Sequence, residues 1–533
     1  MLWVFGCLLV RHQDKLRRPL ALPKFMWPLA LLFVVVVLQT IAGTIVFSGD
    51  AWVLVFYLAT CAFALSSGYV FGCERINDVP LQASFQSLSL RFAMLLVLGG
   101  LCSIVVALGQ VLDVWDNVMW VVHMPVLRRP GGNLGQPNQL ATLILFSIAS
   151  IVYLFESRWL RTFTALPVAA VLLFGLALTE SRSGALGLSL MAAWWFLKRR
   201  RIGFALSSRA VGLWLVYFAC CFWFWPTFFN FIQEGGWSDA VAVQVNTSAG
   251  TRLVVWPQLW VAVLQRPWFG WGLGEVSTAH NAVLHAYMES EPFTYAHNIV
   301  LDMAVGMGLP LTFLLVGAVV AWLWRRVRAA NDLVSWYCLA IALPFGVHSM
   351  LEFPFAYAYL LFPVMFLLGV LEARLAPKSV VRIPWWSATV SWVLVSIAMA
   401  WSVVEYISIE EDFRVARFEF MRIGHTSGDY ERPQIYMLTQ LEALLEAARI
   451  EPAPKMALDQ VELVRKVAMR YPWPATQKRY ALSLALNDNP EEAIRQLKVM
   501  RAMHGEKAYE GIKANWKDLA ENKYPQLGAL LLP

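Results

Sequence analysis

The chain has 533 residues, of which 59% are hydrophobic and 15% charged, against about 25% charged in an ordinary soluble domain. With 25 Trp, 32 Phe and repeated apolar runs long enough to cross a bilayer, this composition excludes a soluble globular protein, and the short alternating segments of a membrane β-barrel are absent. Residues 407–533 carry 18 basic and 18 acidic side chains, so the formal charge of +7 belongs wholly to residues 1–406; a basic membrane core implies cytoplasmic Lys and Arg clusters, not nucleic-acid binding.

In chain order, apolar runs fall at 27–47, 51–72, 92–112, 139–155, 164–179, 184–197, 210–229, 298–324, 334–353, 355–371 and 386–406. They predict an all-α polytopic membrane protein with about 11 transmembrane helices. Residues 1–10 are apolar but too short to span, and no small-residue cleavage site follows them. Basic clusters occupy every second gap: Arg11 to Lys24, Arg75/Arg91, Arg158/Arg161, Lys198 to Arg209, Arg325 to Arg328 and Arg374 to Arg382. Such alternation makes those gaps cytoplasmic and turns the others outward, including everything after residue 406.

Four parts are expected: N-terminal transmembrane helices (1–229), a large outward-facing loop (230–297), C-terminal transmembrane helices (298–406) and an outward-facing helical domain (407–533). In the last, two helical runs flank the turn N-D-N-P, with Tyr480, Leu482 and Leu484 to Leu486 facing Ala493, Leu497 and Met500. This is one helix-turn-helix unit of tetratricopeptide type, or simply a small helical cap. The seven cysteines lie in or beside apolar runs, without metal-ligand spacing, and read as small hydrophobes.

Five basic residues stand on the outer side, against the charge bias: Arg128, Arg129, Arg182, Arg252 and Arg266. A planar guanidinium can hold phosphate oxygens bidentately; the competing explanation is pairing with Asp113, Asp116, Glu180 or Glu234, or snorkelling to headgroups. Arg252 begins a predicted helix with Thr251 as N-cap, and Trp256 and Trp260 suit a segment in the headgroup region. The run P-W-F-G-W-G-L-G after Arg266 reads as a tight turn with close backbone packing. His297 and Asn298 stand at the entrance to the next span, where an imidazole can accept a hydroxyl proton. Gly306 and Gly308 beyond them allow another helix to pack closely. A second pair, His280-Asn281, lies in the same loop but not at a span entrance. The stretch G-G-N-L-G-Q-P-N-Q supplies Asn133, Gln136 and Asn138, side chains suited to sugar hydroxyls or to capping a helix. In H-S-M-L-E-F-P-F-A-Y-A-Y, His348 and Glu352 lie one helical turn apart with Tyr357 and Tyr359 beyond, as a tied pair or a second acid/base and sugar-stacking group.

Together, G-N-L-G-Q-P-N-Q-L-A, E-S-R-S-G, T-R-x-x-x-W with R-P-W-F-G-W-G, A-H-N-I-V-L and H-S-M-L-E-F-P resemble bacterial protein O-oligosaccharyltransferases of the PglL (pilin-glycosylating) type, within the O-antigen ligase and polymerase superfamily. The resemblance covers roughly residues 20–375, and the tail is similar to that family's outer helical domain. It implies an enzyme of the bacterial inner membrane, with its active site facing the periplasm. Such an enzyme moves a preassembled glycan from undecaprenyl diphosphate to Ser or Thr of periplasmic proteins such as pilin, with inversion and without metal or other cofactor. It further implies that His297, Arg182 and Arg252 are catalytic, and that Gln136, Asn138 and Tyr357 or Tyr359 meet substrate; Asn133, Arg266, Asn298, His348 and Glu352 are the other candidate contacts. Two departures stand out: family members begin with further spans, so the chain is expected to be shortened at its N-terminus, and Val305 stands where many have an acidic residue. The alternatives are ligation or polymerisation of O-antigen on lipopolysaccharide, or, from another class, secondary transport, which requires ionisable or broken segments near the bilayer midplane.

Overall fold

The computed structural model describes residues 3–7, 19–73, 75–76, 79–80, 82–115, 118–122, 129–232 and 249–533. Arg11, Lys15, Arg17, Arg18, Asp116, Arg128, Glu234 and the loop segment 233–248 lie outside the described residues. The helices, in order, are α1 (Trp27–Ile41), α2 (Ser48–Gly72), α3 (Gln82–Val111), α4 (Pro137–Glu156), α5 (Thr162–Leu178), α6 (Arg182–Ile202), α7 (Ser208–Ile232), α8 (Ala249–Gln265) and α9 (Val276–Leu284). They continue as α10 (Ile299–Met307), α11 (Leu309–Ala329), α12 (Leu333–Ser349), α13 (Ala358–Leu375), α14 (Trp385–Met421), α15 (Thr439–Arg449), α16 (Leu458–Arg470), α17 (Pro474–Leu486) and α18 (Pro490–Asn522). Eight helices among the described residues are long and apolar enough to cross a membrane, so this is a multi-pass membrane protein. Apolar α5 and α12 are shorter, at 17 residues each, and α6 ends in the basic run Lys198 to Arg201.

The expected span at 298–324 is two helices, not one. Gly308, with φ +79, interrupts it after the nine-residue α10, which is too short to cross a bilayer, and the crossing segment is α11. An apolar run conceals such a break because hydropathy is blind to a single residue's backbone angle.

The chain forms two compact units, with divisions inside α2, α11 and α14. In the unit containing residues 60–246 and 319–389, α4 packs against α3, α5, α6 and α12. Its core includes Phe146, Ile144 and Leu140, fully enclosed on α4. Strand β1 (Leu20–Pro23) pairs antiparallel with β2 (Val380–Ile383). Near these strands in sequence, Arg374 pairs with Asp332 at 3.0 Å, and the Arg326 guanidinium donates to both oxygens of Glu372. Part of the basic charge is thereby tied down.

The second unit comprises residues 27–59, 247–318 and 390–533. Helices α15 to α18 pack consecutively. Tyr480 and Leu484 share one cluster with Ala493, while Leu482 and Leu486 share another with Leu497 and Met500. The N-D-N-P turn thus joins α17 to α18 with the facing residues expected from the sequence. Arg470 of α16 donates through two nitrogens to Asp50 in the first turn of α2, both at 2.9 Å, with the side chains 18% and 11% exposed. Asp50→Asn leaves a largely enclosed guanidinium without its counter-charge and is expected to cost about 2–4 kcal/mol. Limited proteolysis should then release the 407–533 segment faster than in the native protein, whereas the double change Asp50→Leu/Arg470→Met restores resistance. Unchanged proteolysis in Asp50→Asn would show that the pair holds nothing in place.

Candidate functional site

The loop motifs fold at helix N-termini, and two of these, α6 and α10, follow a non-glycine residue with positive φ. In the second unit that residue is His297 (φ 53). For a side chain larger than glycine this left-handed geometry costs about 1–3 kcal/mol and persists only when its surroundings enforce it. Here the enforcement falls on the preceding peptide. The Trp256 indole N–H donates to the Ala296 carbonyl at 2.8 Å, and the Ala296 N–H donates to Asp302 Oδ2, also at 2.8 Å. Asn298 then caps α10, accepting from Val300 and Leu301 N–H at 3.0 and 3.1 Å. The His297 ring, half-buried, lies tilted on Phe293 with centroids 4.7 Å apart. Burial pushes the Asp302 carboxyl up to about 7, against the hydrogen bond from Ala296.

Arg252 is in the first turn of α8, one turn before Trp256 on the same helix face, and half-buried. The helix begins at Ala249, so Thr251 lies inside it and is not the N-cap. Trp256, expected among headgroups, instead holds the loop that presents His297; Trp260 is 45% exposed, as a headgroup tryptophan would be. Arg266 is exposed, its guanidinium 4.0 Å from the Trp271 ring centre. The glycine run is the close-packed turn expected. Trp271 and Gly272 N–H donate to Val305 and Gly306 carbonyls, and a Cβ on Gly270 would lie 2.6 Å from Met307 N. Gly306 therefore accommodates this turn rather than a neighbouring helix. Gln39 of α1 seals it, donating to Gly306 O and accepting from Leu273 N–H.

The second pair, His280-Asn281, is enclosed within α9. Gln258 donates to the Glu289 carbonyl, which turns its Oε1 toward His280 Nε2 at 2.9 Å and fixes that nitrogen as the donor. His280 Nδ1 is buried with no hydrogen-bond partner, so protonation would bury a second N–H. Burial accordingly pushes the imidazole down to about 4 from an ordinary 6.5. Because the folded value lies below the unfolded one, this contribution to stability is complete above pH 6.5 and is lost as pH falls toward 4. By pH 5 the loss amounts to about 2 kcal/mol. The melting temperature in detergent should fall between pH 7 and pH 5, and His280→Gln should flatten that dependence; an unaltered slope would refute the assignment.

In the first unit the positive-φ residue is Glu180 (φ 44), followed by Ser181 as N-cap of α6 and exposed Arg182 as its first residue. Ser181 Oγ accepts from Gly184 N–H at 3.0 Å and donates to Asn138 Oδ1 at 2.7 Å. Asn138, in the first turn of α4, donates to Glu352 Oε1 at 3.4 Å, and Ser183 joins Ser181 at 2.9 Å. His348 Nδ1 lies 2.7 Å from Thr142 Oγ1, and the Tyr359 hydroxyl donates to Gln139. Tyr357 is stacked on Phe353 and lies tilted against Tyr359. Asn138, Arg182, His348, Glu352, Tyr357 and Tyr359 thus belong to one constellation at the N-termini of α4 and α6, where aligned backbone N–H groups favour an anion. Gln136 occupies the N-cap position of α4, half-buried. Asn133 is engaged by its own loop, donating to Trp120 O and accepting from Val122 N–H, and Arg129 Nε donates to Thr179 O.

Sequence reasoning missed Thr142, Gln139, Ser181 and Ser183 in this constellation, and Trp256, Asp302 and Phe293 around His297. The serines sit within E-S-R-S-G, so their signal was present. Trp256 and Ala296 meet across 40 residues, which no local pattern reveals.

Three family descriptions match along the chain: "Protein glycosylation ligase" at residues 130–155, "O-Antigen ligase" at 167–316 and "Virulence factor membrane-bound polymerase, C-terminal" at 336–518. Between them they take in the helix N-termini that carry Asn138, Arg182, Arg252 and His297. A general O-oligosaccharyltransferase of Acinetobacter baylyi is 27% identical over 456 residues, covering 83% of this chain and 78% of its own length. With these similarities to protein O-oligosaccharyltransferases and O-antigen ligases, the chain is an O-oligosaccharyltransferase. A second relative of this glycosyltransferase, the ComP-specific O-oligosaccharyltransferase of the same organism, is 25% identical over 494 residues, covering 89% of this chain and 85% of its own.

Proposed function

We propose that this oligosaccharyltransferase moves a preassembled glycan from undecaprenyl diphosphate onto Ser or Thr of periplasmic proteins such as pilins, at the outer face of the inner membrane. In this topology α5, α6 and α12 complete eleven spans with the eight long helices. Residues 1–229 and 298–406 form the two transmembrane portions, residues 230–297 the periplasmic loop, and residues 407–533 a tetratricopeptide-like periplasmic domain. The basic clusters in every second gap between the apolar runs support that orientation.

The observation that carries the mechanism is the enforced turn at His297. An imidazole held in a costly backbone geometry by Trp256 and Asp302 is pre-positioned, and position is what a general base requires. His297 takes the proton from the acceptor hydroxyl as its oxygen bonds to the anomeric carbon. The bond from that carbon to the phosphate oxygen breaks on the opposite side, inverting the centre, and its electron pair leaves with the lipid diphosphate. Arg252 and Arg182 neutralise the departing charge, as guanidinium forks suit phosphate oxygens. Gln136, Asn138, Glu352 and Tyr359 contact the donor glycan, Tyr357 stacks against it, and Arg266 and Asn298 border the acceptor. His348 holds Thr142 and orients α4.

The matches described as O-antigen ligase and membrane-bound polymerase favour a second reading, transfer to lipopolysaccharide or chain polymerisation. Mass spectrometry of periplasmic proteins, from cells making a lipid-linked glycan with and without this protein, separates the two. Glycopeptides modified at Ser or Thr are expected only with the protein present. Glycan found solely on lipopolysaccharide would replace the first reading by the second.

A further inference from the structure

Helix α8 is apolar on both sides yet too short to be a span. Leu253 to Gln265 contains no charged residue, but it covers only about 20 Å where a hydrocarbon core measures about 30 Å. Val255, Leu259, Ala262 and Val263 are completely enclosed, in one cluster with residues of α9 and α10. Leu253, Trp260 and Leu264 stand at helical spacing on another side and are exposed. The apolar strip continues past the helix, since Trp268 and Phe269 in the following turn are 70% and 83% exposed. Surfaces that face water rarely carry so continuous an apolar strip.

The attachment of the turn identifies what covers the strip. The N–H of Leu309, the first residue of α11, donates to the Pro267 carbonyl at 2.7 Å. Gly308 lets the turn approach, because a Cβ there would lie 2.5 Å from the Trp268 carbonyl. Gln39, near the end of α1, donates to the Phe269 carbonyl at 3.4 Å. The turn is thereby held level with the ends of two helices long and apolar enough to cross a membrane. Within about one turn of these contacts, the exposed residues of those helices are apolar too: Leu38 and Ile41 on α1, Phe313 and Leu314 on α11. Such faces of crossing helices meet acyl chains, and the strip on α8 continues them. Charge is confined to the flanks, with Arg252 before the uncharged stretch and Arg266 after it, where long basic side chains reach headgroups.

We propose that α8 and the Trp268–Phe269 turn are seated in the headgroup-proximal hydrocarbon of one leaflet, at the end of α11 remote from Arg325 to Arg328, without crossing the bilayer. An uncharged helical stretch of this length, with an exposed apolar side, suits an interfacial segment. Trp256 of the same helix holds Ala296, so the loop presenting His297 is mounted on an element whose depth the membrane sets. The seating does not depend on the transfer reaction.

The test places an environment-sensitive fluorescent amino acid at Leu264, Phe269 or Met288 of the full-length protein in phosphatidylcholine nanodiscs. Met288 is 81% exposed, but it precedes Glu289, whose carbonyl accepts from Gln258 on the buried side of α8. Quenching is compared between aqueous iodide and phospholipids that carry a nitroxide either high on an acyl chain or at its tip. At Leu264 and Phe269 the high nitroxide should quench several-fold more than at Met288, and iodide several-fold less. Iodide quenching equal to that at Met288 would put the strip in water. Protection from iodide without nitroxide quenching would put it under protein, and strongest quenching by the chain-tip nitroxide would make α8 a crossing segment. Any of these three results overturns the proposal, and either strip position suffices if a probe at the other prevents folding.

Discussion

His297→Ala is expected to lower glycan transfer to a purified acceptor protein by about 10²–10⁴-fold, the contribution of a positioned general base. The melting temperature should hardly move, because Ala296 keeps both of its hydrogen bonds, to Trp256 and Asp302. A sharper form of the experiment uses the backbone. At φ 53 alanine inherits the strain of histidine, whereas glycine adopts that angle without steric cost. His297→Gly should therefore be as inactive as His297→Ala yet no less stable. If His297→Gly retains native turnover, the imidazole is a loop residue and the mechanism must be reassigned.

Arg252 should be nearly as important, for a different reason. In the proposed mechanism its guanidinium acts on charge that grows as the diphosphate leaves, so Arg252→Gln is expected to reduce kcat by about 10²–10³-fold with a smaller effect on KM. Arg252→Lys should recover part of that loss, because it keeps the charge but loses the planar fork. A double-mutant cycle with Arg182→Gln reports whether the two arginines act on one diphosphate: strong non-additivity is expected, and simple additivity would assign Arg182 elsewhere. A kcat that is unchanged in Arg252→Gln would remove the arginine from the chemistry altogether.

The parts of this fold legible in sequence were those encoded over a few residues. The apolar runs became helices, N-D-N-P became the turn between α17 and α18, and the glycine run after Arg266 became a close-packed turn. The placement of His297 and Arg182 at helix N-termini was also legible, since each stands beside a side-chain N-cap, Asn298 or Ser181, whose hydrogen bonds are local. What was hidden depended on distant partners. Nothing near Asn138 announces Ser181, 43 residues on, and the Trp256 indole looks like any interfacial tryptophan until Ala296 is seen to accept from it. The break at Gly308 was missed for the opposite reason: a single backbone angle decided it within an unbroken apolar stretch.

The bidentate pair between Asp50 and Arg470 bears on how the protein is made. The two residues are 420 positions apart, so the carboxylate emerges early in translation, while its guanidinium is added only after most of the membrane helices exist. Until then α2 carries an acidic group that its own neighbourhood does not neutralise. A nascent chain arrested before residue 470 would lack the guanidinium that pairs with Asp50.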